Sequence, residues 1–219
     1  MRKILISLCL ILVTTLSIAC CKSEKINDDN LILISNIEIF DSPQEIVKCL
    51  SDMESELNNF ISQNKGIKEN SKVFGLYIKN ATIQINKFME ITDFNQNGNF
   101  QTLDVDKRDN HFINPRVNNV FLSEVNGINL VFDYNYIMKN YGSYLDETWN
   151  TYIKYQIDFN KEFESFLYED MTPETYQQFI TANKEWIKKW TEFITLHKDF
   201  PLIEEINQQI TELKTKLNE

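Results

Sequence analysis

Glycine and histidine are scarce in this chain, with 5 and 2 among 219 residues. The glycines stand apart, so no glycine-rich loop exists to cradle a phosphate, and neither a P-loop nor a G-x-S-x-G turn is present. His111 and His197 have no H-E-x-x-H around them, which removes the commonest zinc-hydrolase pattern. The 4 cysteines include no C-x-x-C pair, too little for a disulfide scaffold or a structural zinc site. Beyond residue 20 no stretch approaches the roughly 20 apolar residues of a membrane span. The longest candidate, Leu31 to Phe40, is interrupted by Ser35, Asn36 and Glu38. Positive charge is also short: 22 Lys and Arg stand against 32 Asp and Glu, a net charge of −10. That balance argues against nucleic acid as a partner, and against adhesion to anionic lipid by charge alone. The acidic residues fall on polar helix faces, where solvation accounts for them. No catalytic residue is assigned.

What is present begins at the N-terminus. Arg2 and Lys3 precede an apolar run from Ile4 to Ile18, which ends in the small residue Ala19 before Cys20. Charge, apolar core and small residue in that order describe a secretory signal peptide over residues 1–19. The run Leu16-Ser17-Ile18-Ala19-Cys20 resembles the lipobox of bacterial lipoproteins, although Ser17 stands where Leu is commonest. The resemblance implies that Cys20 is acylated and becomes the new N-terminus. Ser17 and Ala19 equally suit an ordinary secretory cut at the same bond. Either way export is expected, and the lipoprotein reading places the protein at a bacterial membrane, the outer membrane or cell surface. Anchoring through acyl chains such as palmitate is durable when two or more are attached. Residues 20–41 then read as acylated cysteine and tether, and residues 42–219 as a single helical domain, long enough for a packed core. A Cys21–Cys49 disulfide suits an oxidising envelope. The alternative is that Cys49 is a small buried apolar residue on a helix.

The mature chain has a helical period. Ser42-Pro43-Gln44-Glu45 forms a capping box with proline in the first turn. Apolar residues then recur at Ile46, Leu50, Met53, Leu57 and Phe60/Ile61. Gly66 is expected to end this helix in a left-handed conformation. A second helix is predicted from about Ser71 to Ile91. Residues 92–119 are polar and rich in Asn and Asp, a long loop. Val120 to Val125, Asn126-Gly127 and Ile128 onward give a hairpin signal near 120–132. A helical spacing also starts at Leu130 and runs through Tyr134, Ile137, Tyr141, Leu145, Trp149 and Tyr152, with a break at Gly142. Thr172-Pro173-Glu174 opens the next helix, and Pro201 the last. The expected fold is an all-α bundle of about five helices with one small β-hairpin. The aromatic load of 15 Phe, 9 Tyr and 3 Trp could line a stacking groove for sugars or a peptide. At helical spacing, Trp149, Trp186, Trp190 and Phe163 are expected to fill the core instead. His197 is expected to pack on a helix face near a C-terminus, where the dipole favours its charged form.

One motif carries specific chemistry. Asp93, Asn95, Asn97, Asn99, Gln101 and Asp104 supply oxygens along a twelve-residue loop, with Gly98 at its sixth position for the sharp turn and Phe100 at its eighth. The loop resembles that of an EF-hand, and the terminal Asp104 resembles the dockerin variant. The resemblance implies a Ca2+ site. Only Asp93 and Asp104 are charged, no apolar exit helix follows and no second loop pairs with it, so affinity should be low. A solvated Asn-Gly turn is the alternative.

Two function classes emerge. The first is a lipid-anchored envelope protein whose non-catalytic helical domain binds a protein partner or scaffolds at the surface. The second is a calcium-dependent binding or hydrolytic module built on residues 93–104. If the loop binds calcium, millimolar Ca2+ should release heat in calorimetry and raise the melting temperature. The absence of both responses would refute the site.

Overall fold

The structure is a computed structural model and describes residues 31–36, 39–92, 120–123, 129–168 and 172–217. Those residues divide into two compact units, Met1–Asp146 and Glu147–Glu219. Both are helical, with one two-stranded sheet in the first, so the all-α bundle with a small hairpin is the observed fold.

In the first unit, α1 (Ile32–Ser35) packs against both α2 (Pro43–Ser62) and α3 (Ile67–Thr92). Helix α2 starts as its sequence dictates: Ser42 Oγ accepts from the Glu45 amide at 3.2 Å, and the Glu45 carboxylate accepts the Ser42 hydroxyl at 2.8 Å. Its buried face is Ile46, Cys49, Leu50, Met53, Leu57, Phe60 and Ile61, so Cys49 occupies an apolar core position. Two left-handed residues turn the chain, Asn64 at φ 55° and Gly66 at φ 101°. Asn64 lies just beyond the end of α2. Gly66 sits at the mouth of α3, its carbonyl accepting from the Asn70 amide at 3.0 Å. The second helix therefore starts ahead of the expected Ser71. Its inward face holds Val73, Phe74, Tyr77, Ile78, Ala81, Ile85 and Phe88.

Strands β1 (Val120–Ser123) and β2 (Asn129–Phe132) pair antiparallel, Val120 opposite Phe132 and Ser123 opposite Asn129, and β2 lies against α3. Leu130 belongs to this hairpin and not to the helix that follows. Asp133 sets the boundary, because its carboxylate accepts from the Tyr136 amide at 2.9 Å and caps α4 (Tyr134–Tyr141). The expected break comes at Gly142–Tyr144, a single 3-10 turn. Ser71 Oγ accepts from the Asp146 amide at 2.8 Å and fixes this turn to α3.

The start of the unit departs from the tether reading of residues 20–41. Leu31 is 1 % exposed and Ile34 fully buried, so residues 31–36 are part of the folded unit. The physical reason is polar as well as apolar. A helix of four residues leaves its first amides without internal partners. Glu56, reaching from α2, accepts from Leu33 N at 3.0 Å and from Ile34 N at 3.1 Å. At the other end Asn80 Nδ2, from α3, donates to the Ile34 carbonyl.

The second unit is a run of three helices: α5 (Glu147–Tyr168), α6 (Pro173–Leu196) and α7 (Ile203–Lys216). Thr172 caps α6 through its Oγ1, which accepts from the Thr175 amide at 3.1 Å, with Pro173 next. The last helix begins at Ile203, two residues beyond Pro201, since Pro201 and Leu202 lie in the turn. The expected aromatic core is observed: Trp149, Phe163, Trp186 and Trp190 are all buried. Their rings form one continuous seam. Tyr152 meets Trp190 at 5.9 Å, Phe159 meets Trp186 edge-on at 5.3 Å, and Phe163 meets Phe179 edge-on at 5.9 Å. Phe200, from the α6–α7 turn, closes it against Trp149 at 4.6 Å.

Replacing Glu56 with alanine should strip the Leu33 and Ile34 amides of their acceptor and lower stability by about 1–3 kcal/mol. Denaturant unfolding checks the loss, and hydrogen exchange should show those two amides opening first.

Candidate binding groove

The residues singled out for chemistry in the sequence are distributed unevenly. Cys20, the calcium-loop positions Asp93, Asn95, Asn97, Asn99, Gln101 and Asp104, and His111 lie outside the described residues. His197 lies within them, half-buried just past the end of α6. Its ring packs on Phe193 at 4.7 Å between centroids, and its Nδ1 is 3.4 Å from Thr148 Oγ1. It packs there on Phe193, and among the described residues no carboxylate is hydrogen-bonded to its ring nitrogens. Among the described residues, no three His, Cys, Asp or Glu side chains stand close enough to hold a metal. No helix of the described residues is long and apolar enough to cross a membrane.

Two titrating groups show where burial and charge meet. Tyr136, in α4, has its phenol pushed up by burial, then by the negative charges of Glu54 and Asp133. Glu54 itself is only 2 % exposed on α2. Burial and nearby carboxylates both disfavour phenolate, so Tyr136 is held in its neutral form. On α7 burial raises the Glu212 carboxyl, opposed by the Gln208 amide, which donates to it at 3.2 Å, and by Lys216.

The concave feature of interest is in the second unit, on the seam between α5 and α6, with a volume of about 530 Å3. Glu162 and Phe166 enter it from α5, one turn apart. Gln178, Ala182 and Glu185 follow from α6 at the spacing of one helix face, with Gln177 and Thr181 beside them. The floor is apolar, since Phe166 and Ala182 are buried. The walls are polar. Glu162 is held in place from below: the buried indole of Trp186 donates from Nε1 to Glu162 Oε2 at 2.6 Å. Lys189 covers the same indole, its Nζ 4.1 Å from the ring centroid. Glu185, next to Trp186 in the chain, lines the same groove as Glu162. The Gln177 and Gln178 amides sit two turns away, about 10 Å along the helix.

Carboxylates and amides around an apolar floor form a recognition set. The Thr181 hydroxyl is spent on the Gln177 carbonyl at 2.9 Å, and the groove contains no histidine or cysteine. The groove was not legible beforehand. Glu162 reads as one more solvated acid and Trp186 as core, and nothing local reveals that two residues 24 apart share a hydrogen bond.

No protein-family model matches the chain, and neither a curated protein nor a solved structure matches it.

A raised folded-state pKa means that Glu212 favours folding in acid and loses that contribution as pH rises through the raised value. Glu212→Gln should therefore stabilise the protein at pH 7, by up to about 0.5 kcal/mol for a half-exposed site. The gain should vanish near the ordinary carboxylate pKa of about 4. Urea midpoints of the two proteins at both pH values measure it.

Proposed function

We propose that this chain is an exported, lipid-anchored envelope protein whose helical units bind a protein partner without catalysing a reaction. The observation that carries this reading is the leader, in which a basic start and an apolar run end at Ala19-Cys20. Charge supports the same assignment. A chain of net charge −10 gains nothing from anionic headgroups, so residence at a membrane has to come from acyl chains on Cys20. Leu31 is buried in the first unit. The chain from Cys20 to Leu31 spans at most about 40 Å when fully extended. A binding module held that close presents its surface to whatever lies within that distance of the membrane.

The recognition chemistry of the α5–α6 groove suits binding and lacks a nucleophile with a partnered base. A second reading rests on the spacing of Asp93 to Asp104, which would make partner binding calcium-dependent through that loop.

Mass spectrometry of the mature N-terminus tests the anchor. The expected species starts at Cys20 and carries acyl chains, partitions into detergent, and becomes water-soluble on Cys20→Ala substitution. An unmodified Cys20 refutes it.

A further inference from the structure

We infer that α1 is an exchangeable plug: the cleft between α2 and α3 that holds it also takes the same residues of a second copy of this chain. The product is a dimer in which each copy fills the other's cleft. The inference goes beyond the anchor and the partner reading and uses only the first unit.

The plug has little stability of its own. A helix of four residues is far shorter than those that persist alone in water, and Leu31 at its N-cap position gives no side-chain cap. What holds it comes from the cleft. Leu31 and Ile34, three positions apart, are buried. Glu56 of α2 accepts from the Leu33 and Ile34 amides at 3.0 and 3.1 Å, and Asn80 of α3 donates to the Ile34 carbonyl. Cleft and occupant thus fit each other at two apolar positions and at both kinds of backbone group, and every copy of the chain carries both.

The body that holds the plug is much larger. Helices α2 and α3 have 20 and 26 residues and pack on one another, so α1 can open locally while they stay folded. An opened copy offers a vacant cleft and a free plug together. A second opened copy supplies the complement of each, and exchange repeats every contact of the closed monomer. Closed two-fold exchange of this kind is a low-cost route to a dimer.

Exposed apolar residues mark where the exchange adds contact. Ile32, on the outward side of α1, is 62 % exposed, and Ile39, just past α1, is 57 % exposed. The chain is tied to α3 again at Asp41, whose carboxylate lies 3.6 Å from Lys87 Nζ, so Ile39 belongs to the stretch between plug and body. In the exchanged dimer the two such stretches cross near the two-fold axis. Ile32 and Ile39 are the side chains placed to gain cover there, which the monomer leaves in water.

Two variants of the full chain separate plug from cleft. Leu31→Ser with Ile34→Ser removes the plug's anchors and keeps the cleft, and Ile34→Ala alone takes its place if the pair unfolds the unit. Glu56→Ala with Asn80→Ala removes the polar ties of the cleft and keeps the plug. The second variant, labelled with 15N, is mixed with the unlabelled first. Its Leu33 and Ile34 amides, quick to exchange with deuterium when it is alone, should slow by about tenfold or more as the first variant is added. Sedimentation of the unsubstituted chain should show a monomer–dimer equilibrium. Ile32→Ser with Ile39→Ser, both at exposed positions, should weaken that dimer roughly tenfold and leave the monomer's melting temperature unchanged. Unslowed amides in the mixture, a chain that stays monomeric at millimolar concentration, or a dimer indifferent to Ile32 and Ile39 would overturn the inference. Acylation of Cys20 is read independently by mass, so failure here leaves the anchor standing.

Discussion

Burial of aromatic rings on one face of α6 is the constraint on which the second unit depends. Trp186, Trp190 and Phe193 project from that helix at helical spacing and each meets rings of α5 or of the α6–α7 turn. A buried Trp or Phe removes more apolar surface from water than any aliphatic side chain. Helices of this length are only marginally stable alone in water, and an amphipathic stripe of this weight supplies what propensity does not. The edge-on geometry of Phe159 against Trp186 and of Phe163 against Phe179 adds the electrostatic preference of ring edges for ring faces. Two polar atoms in this region make no hydrogen bond among the described residues, Asn183 Oδ1 and Trp190 Nε1. Their burial is a cost that the surrounding ring contacts outweigh.

The same seam creates the groove. Trp186 is inside, yet its indole nitrogen is directed at Glu162, so a core residue positions a surface carboxylate. A side chain fixed by packing and by a hydrogen bond from below loses little conformational entropy when it meets a ligand. The first unit uses the same device for a different end. There Glu56 and Asn80 hold the backbone of α1, and the chain is already buried at Leu31, ahead of the Ser42 cap.

The absence of a matching relative places the weight on chemistry alone. The proposal of a displayed binding module rests on the leader ending in cysteine, the net charge of −10 and the α5–α6 groove. The carboxylates are numerous: among the described residues Glu45 and Asp133 cap helices, Glu56 holds backbone amides, Glu162 accepts an indole N–H and Glu54 is buried. None is hydrogen-bonded to a histidine.

Sequence by itself determined the helices, their caps and their inward faces. Each depends on residues within a few positions of one another: Ser42 with Glu45, Thr172 with Thr175, and apolar residues three and four apart. The hairpin near 120–132 and the pause after Tyr141 were legible for the same reason. The proposed leader rests on a signal of the same local kind, a contiguous order of charge, apolarity and small residues. Tertiary structure decided what distant residues do to each other. It drew Leu31 to Ile34 into the core through Glu56 and Asn80, gave Leu130 to a strand by pairing it with Leu122, and set Glu162 on Trp186 in a groove that Glu185 also lines. A periodic pattern specifies which face of a helix is buried. Only the packed helices fix which polar groups meet at the edge of that face, and there the candidate site lies.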